Sequence, residues 1–126
     1  MKIAQVSERY SISSDTLRYY ERIGLIPRVH RNKYGIRDYN ELDFKRIEFI
    51  KCMRSAGLSI EVLIEYVGLV EQGDQTIEAR KEILRSQREQ LAAKMADMQK
   101  TLDVLDYKIA VYENAVLKKE KGMIPI

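Results

Sequence analysis

Apolar residues in the first part of the chain recur at helical spacing in short runs separated by polar punctuation. Ile3, Val6 and Tyr10 fall at i, i+3 and i+7, which predicts a helix over residues 3 to 10 with one inward face. A turn follows, where Ser13 and Ser14 are N-cap candidates because a serine oxygen accepts from the free amides of the next turn. Asp15 then sits at the positive end of a second helix, expected over about 14 to 22 and stopped by Gly24. Within it, Leu17 reads as core. Consecutive helical residues point about 100° apart, so one of Tyr19 and Tyr20 takes a structural share, and Tyr20 is the better choice.

From Leu25 to Tyr39 the helical period disappears and Pro27 breaks the chain. Residues 28 to 39 read as two short strands around a turn near Asn32 and Gly35, a wing, with a solvated loop as the alternative. The segment is basic, carrying Arg28, Arg31, Lys33 and Arg37 against Asp38, with Tyr34 and Tyr39 interleaved.

Asn40 is the expected N-cap of a third helix, with Asp43 as the capping acid and Leu42, Phe49, Ile50, Met53 and Ala56 as its apolar face up to Gly57. Ser59 opens a fourth, with Ile60, Leu63, Ile64 and Val67 apolar, and Gly73 closes it. The last helix repeats in sevens. Ile77, Leu84, Leu91, Met98, Leu105 and Tyr112 form one series, and Met95, Leu102, Ile109 and Val116 a second four residues on. Lys81 and Arg88 occupy the early places of the second series, so the seam is firm from about Leu91. A sustained heptad seam predicts a coiled coil, most simply with a second copy of the chain, and a helix folded back on its own head is the alternative. Three segments result: a head with connector helices over 1–73, a dimerisation helix over 74–117 and a tail over 118–126.

Charge sharpens this division. The net charge is +3, but residues 1 to 56 hold twelve Lys/Arg against seven Asp/Glu, a surplus of five, so the remainder carries −2. A basic head on a near-neutral scaffold suits a nucleic-acid partner, and equally an acidic protein partner. One cysteine, Cys52, and one histidine, His30, leave no soft-ligand cluster and no intrachain disulfide. Neither a catalytic constellation nor a phosphate loop is legible, so an enzyme is not expected, and no cofactor is implied. No stretch reaches the length of a membrane span and no signal peptide is visible, so the expected location is cytoplasmic, with no membrane partner.

Thr16-Leu17-Arg18-Tyr19-Tyr20-Glu21-Arg22-Ile23-Gly24-Leu25-Ile26, followed by Gly35-Ile36-Arg37-Asp38-Tyr39, resembles the MerR family of bacterial transcription regulators. The likeness extends over nearly the whole chain, in order. It implies a mostly α fold: a winged helix-turn-helix head, two connector helices, and a long C-terminal helix forming an antiparallel dimeric coiled coil. The homodimer would bind an inverted-repeat promoter and distort its spacer so that RNA polymerase engages both promoter elements. Such distortion costs a few kcal/mol, offset by the contacts it permits. The second helix would enter the major groove, where Thr16 and Arg18 can reach bases or phosphates. Tyr19, Tyr20, Arg37 and Tyr39 would grip the DNA backbone, and Lys33 of the wing is a further DNA-binding candidate. The dimer interface would comprise Leu84, Leu91, Met95, Met98, Leu102, Leu105, Ile109, Tyr112 and Val116.

Metal-sensing members of the family carry cysteines near the start and beyond the end of the dimerisation helix, iron-sulfur sensing needs several cysteines, and drug-sensing members carry a large C-terminal domain, so metal, cluster and drug sensing are not expected here. Lys51-Cys52-Met53-Arg54-Ser55-Ala56-Gly57-Leu58-Ser59-Ile60-Glu61 is similar to the NmlR/AdhR branch, whose lone cysteine is implied to sense reactive aldehydes and related electrophiles. Cys52 shares a helix sector with Glu41, Lys45, Glu48 and Ser55, roughly 100° from the centre of the apolar face. Two alternatives stay open, a thiol-redox response and simple packing of Cys52 at the subunit interface.

Overall fold

In a computed structural model of the chain, which describes residues 1–120 and the side chains as far as Val116, helices follow one another as the caps dictate. They are α1 (Ile3–Tyr10), α2 (Ser14–Arg22), α3 (Glu41–Ser55), α4 (Ile60–Gln72) and α5 (Ile77–Glu120), with a short 3₁₀ turn at Asp74–Thr76. From residue 121 on, the expected tail lies outside the described residues.

The polar punctuation acts as expected. Ser13 Oγ accepts from the Thr16 amide at 3.0 Å and Ser59 Oγ from the Val62 amide at 3.2 Å. Asn40 and Asp43 form a reciprocal capping box, at 3.0 and 2.9 Å, that satisfies two otherwise orphaned amides. Gly24 turns the chain at φ +81, where a Cβ would be strained, directly after α2.

Two elements differ from expectation. The wing contains no strands among the described residues, only an isolated antiparallel bridge between Arg31 and Arg37. Asn32 is the reason: its Oδ1 accepts from the amides of Tyr34 (2.9 Å) and Ile36 (3.1 Å), while its own amide donates to the Ile36 carbonyl. The side chain has thus taken the Ile36 amide, which would otherwise have completed a ladder pair with the Asn32 carbonyl. On α3, the buried stripe is Phe44, Ile47 and Ile50, whereas Leu42, expected in the core, is 54% exposed. Phe44 lies 6.3 Å from the Tyr10 ring and under the Arg9 guanidinium, so packing against α1 selects the face.

The head core joins Val6 and Tyr10 of α1, Leu17 of α2, Leu25, Ile26 and Val29 of the following segment, the α3 stripe and Leu63 of α4. Cross-links reinforce it. Tyr10 Oη donates to Glu48 at 2.9 Å, and Lys51 Nζ donates to the Tyr10 carbonyl at the C-terminus of α1. The α4–α5 junction is similarly closed: buried Thr76 donates from Oγ1 to the Leu69 carbonyl and accepts from Arg80 Nε, whose Nη2 reaches the Gly73 carbonyl.

By packing, the chain divides after Gln87, inside α5, so that residues 1–87 form one unit and the rest of α5 another. In the first unit, Glu82, Ile83, Ser86 and Gln87 share a cleft with Val62 and Glu65, which is why the start of α5 belongs with the connectors. In the second, the heptad stripe stands open: Met95, Met98, Leu102, Leu105, Ile109, Tyr112 and Val116 are all exposed.

The α3 correction is directly testable. Ile47→Ala should cost ~2–5 kcal/mol of unfolding free energy, and Leu42→Ala no more than about 0.5. Urea denaturation of both variants distinguishes the two faces; equal losses would restore Leu42 to the core.

Candidate nucleic-acid interface

Because Leu17 is wholly buried, the opposite face of α2 must point outward. That face carries Asp15, Arg18, Tyr19 and Arg22, all exposed. Alongside it runs the wing, and between them lies an open cleft lined by Arg18, Glu21, Arg22, Arg28 and Arg37. Four guanidinium groups around one carboxylate make a strongly electropositive surface, suited to phosphate oxygens.

The ion pairs in this region differ in kind. Arg18 meets Asp15 at 2.9 Å, one turn away and open to solvent, a contact worth roughly 0–1 kcal/mol and easily exchanged. Arg37 Nε meets Glu21 Oε1 at 2.8 Å with side-chain exposures of 21% and 12%, tying the wing to α2. Arg22 stacks over the Tyr19 ring at 5.3 Å, and that ring lies 6.3 Å from Tyr20.

Each residue expected at a DNA surface has a definite place. Arg18 and Tyr19 are exposed, and Arg18 and Arg37 share the cleft. Tyr20 is half-buried against the core, the structural share anticipated for it. Thr16 belongs to the cap, its Oγ1 accepting from Ser13 Oγ at 2.8 Å. Lys33 stands apart from the cleft near the wing tip, over the Tyr34 ring at 5.1 Å. Tyr39 departs most from expectation. It is 3% exposed, and its hydroxyl is buried without a hydrogen-bond partner. Alternating polarity in the wing does not show this, because the residue leaves the wing and enters the core just before the α3 cap. Burial raises the Tyr39 pKa above the ordinary tyrosine value, partly offset by Arg37.

Sequence reasoning passed over Arg22, Arg28 and Glu21 as site residues. A clue was available for both arginines: Arg22 lies four residues from Arg18 on one helix face, and Arg28 belongs to the basic wing segment. Glu21 gave no such signal, since its partner is 16 residues away across a turn.

Cys52 is exposed on α3, away from the arginine cleft. Its neighbours Lys51 and Glu48 both engage Tyr10. Among the described residues no group of His, Cys, Asp and Glu is arranged to hold a metal ion.

The buried Tyr39 hydroxyl yields a test. Tyr39→Phe removes an unpaired polar atom and should leave stability at neutral pH unchanged or raised by about 1 kcal/mol. A raised folded-state pKa means that stability is intact below the ordinary tyrosine value and is lost as pH climbs through the folded one, so the variant should also resist alkaline unfolding better. Loss of more than about 1 kcal/mol, read by thermal melting at pH 7 and above pH 10, would show that the hydroxyl is bonded after all.

Residues 1–68 match the family described as MerR HTH family regulatory protein, and residues 44–107 match MerR, DNA binding. The HTH-type transcriptional regulator AdhR of Bacillus subtilis is 62% identical over 91 residues, 72% of this chain and 65% of AdhR. The matched stretch thus spans just under two thirds of that relative. A crystal structure of a MerR family regulator from Listeria monocytogenes is similar at 45% identity, with a TM-score of 0.90 over 97% of this chain and 92% of that one. The crystal structure of HiNmlR, a MerR family regulator lacking the sensor domain and bound to promoter DNA, is similar at 31% identity, with a TM-score of 0.82 over 92% of each chain. By the extent and order of these matches, the chain belongs to the MerR family of helix-turn-helix, DNA-binding transcription regulators.

Proposed function

We propose that the chain binds an inverted-repeat promoter as a homodimer, with α2 in the major groove and the arginine cleft on the flanking phosphates. The observation that carries this reading is the cleft itself, where Arg18, Arg22, Arg28 and Arg37 from two separate elements converge beside the exposed face of α2. Phosphates contacted by the wing and bases approached by α2 would be adjacent on one duplex face. The second copy follows from α5. Residues such as Met98 and Tyr112, 71% and 67% exposed, form an apolar stripe in register with a heptad repeat, and an identical helix covers it by the same pattern. HiNmlR, similar over 92% of its length, is described as bound to promoter DNA. By family resemblance, activation proceeds through distortion of the promoter spacer, which lets RNA polymerase engage it.

The sensing element of this reading is Cys52, responding to reactive aldehydes or related electrophiles. A thiol adds to an aldehyde carbonyl with its proton passing to the oxygen, giving a hemithioacetal without any oxidant. Three features support it. Cys52 is exposed, so a small electrophile reaches it. The stretch Lys51 to Glu61 resembles the NmlR/AdhR branch, whose lone cysteine is implied to sense such electrophiles, and AdhR of Bacillus subtilis is 62% identical over 91 residues. Lys51 and Glu48, on the same turns of α3, hold the last residue of α1, so displacement of α3 at this point reaches the helix-turn-helix.

Arg37→Ala should weaken promoter binding and lower the slope of log K against log salt by about one, the signature of a lost phosphate contact. Arg18→Ala should cost ~1–3 kcal/mol and relax sequence preference if it reads a base. Fluorescence titrations against promoter and scrambled duplexes at several salt concentrations measure both; unchanged binding in both variants would place the duplex on another face.

For the sensor, Cys52→Ser should bind the promoter normally yet fail to raise transcription from a reporter when cells meet formaldehyde or methylglyoxal. An intact response at equal protein levels returns Cys52 to a packing role, and induction of the wild type by peroxide alone favours thiol oxidation.

A further inference from the structure

Glu21 is an acid where neither helix stability nor DNA binding explains one. It occupies the last turn of α2, at the negative end of the helix dipole, where a carboxylate is unfavourable. It also lines the cleft in which every other residue is an arginine, so its charge opposes the phosphates that the cleft suits. Yet its side chain is only 12% exposed and its Oε1 accepts from Arg37 Nε at 2.8 Å.

We infer that Glu21 is the positioning residue for Arg37: it fixes the guanidinium plane of the wing arginine so that the remaining N–H groups are presented, already ordered, to a DNA phosphate. The inference rests on the proposed DNA-binding role of the cleft. Arginine offers five N–H donors in a rigid fork, and engaging Nε fixes the plane while leaving the four Nη hydrogens. A long, flexible side chain held in this way loses less freedom when it binds. The wing needs such an anchor. It lacks a strand ladder, having one bridge, and that bridge ends at Arg37 itself. The carboxylate also moderates repulsion among Arg18, Arg22, Arg28 and Arg37, which would otherwise push the wing from α2. With Glu21 engaged on Arg37 and mostly covered, its repulsion of DNA is small beside the order it imposes.

The acceptor oxygen is the essential feature, which separates positioning from a general charge effect. Glutamine keeps an oxygen able to accept from Nε, whereas alanine does not. Promoter affinity and its salt dependence are therefore compared for the full-length wild type, E21A, E21Q, R37A and the E21A/R37A pair, with melting temperatures as a check on folding. E21A should lose about tenfold in affinity with a salt slope lower by about one, as R37A does. The double variant should be no weaker than R37A alone, and E21Q should stay within about twofold of wild type. Tighter or unchanged binding by E21A beside a weakened R37A overturns the assignment of Glu21 while leaving the cleft intact. So do losses that multiply in the double variant, or an E21Q as weak as E21A. R37A binding as tightly as wild type overturns both this inference and the reading of the cleft.

Discussion

Leu17 roots the part of the molecule that would meet DNA. Helix α2 has nine residues, too few to persist alone in water, where nucleation outweighs so short a run of hydrogen bonds. Its existence depends on one wholly buried leucine and a half-buried Tyr20 packed into a core shared with α1, α3 and α4. That requirement fixes the rotation of the helix, and the rotation decides which residues face outward. Arg18, Tyr19 and Arg22 are available to a partner because Leu17 is not. The arginine cleft is in this sense a by-product of core packing, completed when Glu21 captures Arg37 from the wing.

Those features that depend on near neighbours in sequence were legible without a structure. The caps at Ser13, Asn40 and Ser59, and the glycine stops at Gly24 and Gly73, are local hydrogen-bond and backbone problems with few solutions. The α3 face was not legible. Leu42, Phe44, Ile47, Phe49, Ile50 and Met53 surround so much of the helix that more than one stripe satisfies a helical period, and only contact with Tyr10 and Arg9 selects Phe44. The wing deceived in another way: strand-like composition did not reveal that the Asn32 side chain would bind two amides. At the site, Arg18 and Arg37 were recognisable by type and motif. Glu21 as a partner and Tyr39 as core were not, since both depend on a chain reversal that composition does not specify.

Function follows from which surfaces are left without a partner. In the head these are the outward face of α2 and the basic cleft; in the second unit it is the apolar stripe of α5. A polar, positively charged surface and an exposed apolar seam require different partners, and the proposed ones, promoter DNA and a second copy of the chain, would meet the two requirements. Cys52 belongs to neither surface. It sits on α3, whose Lys51 and Glu48 grip the end of α1, the place the proposed sensing role requires.

Whether two heads read one promoter as a unit is tested most directly by the spacing of the half-sites. A homodimer held by paired α5 helices presents its heads at a set separation, so inserting about five base pairs, half a helical turn, moves one half-site to the wrong face of the duplex. Affinity measured on the lengthened duplex should then fall to that of a single half-site. Affinity indifferent to the insertion would mean that each head binds alone, and would contradict the dimeric reading of the promoter.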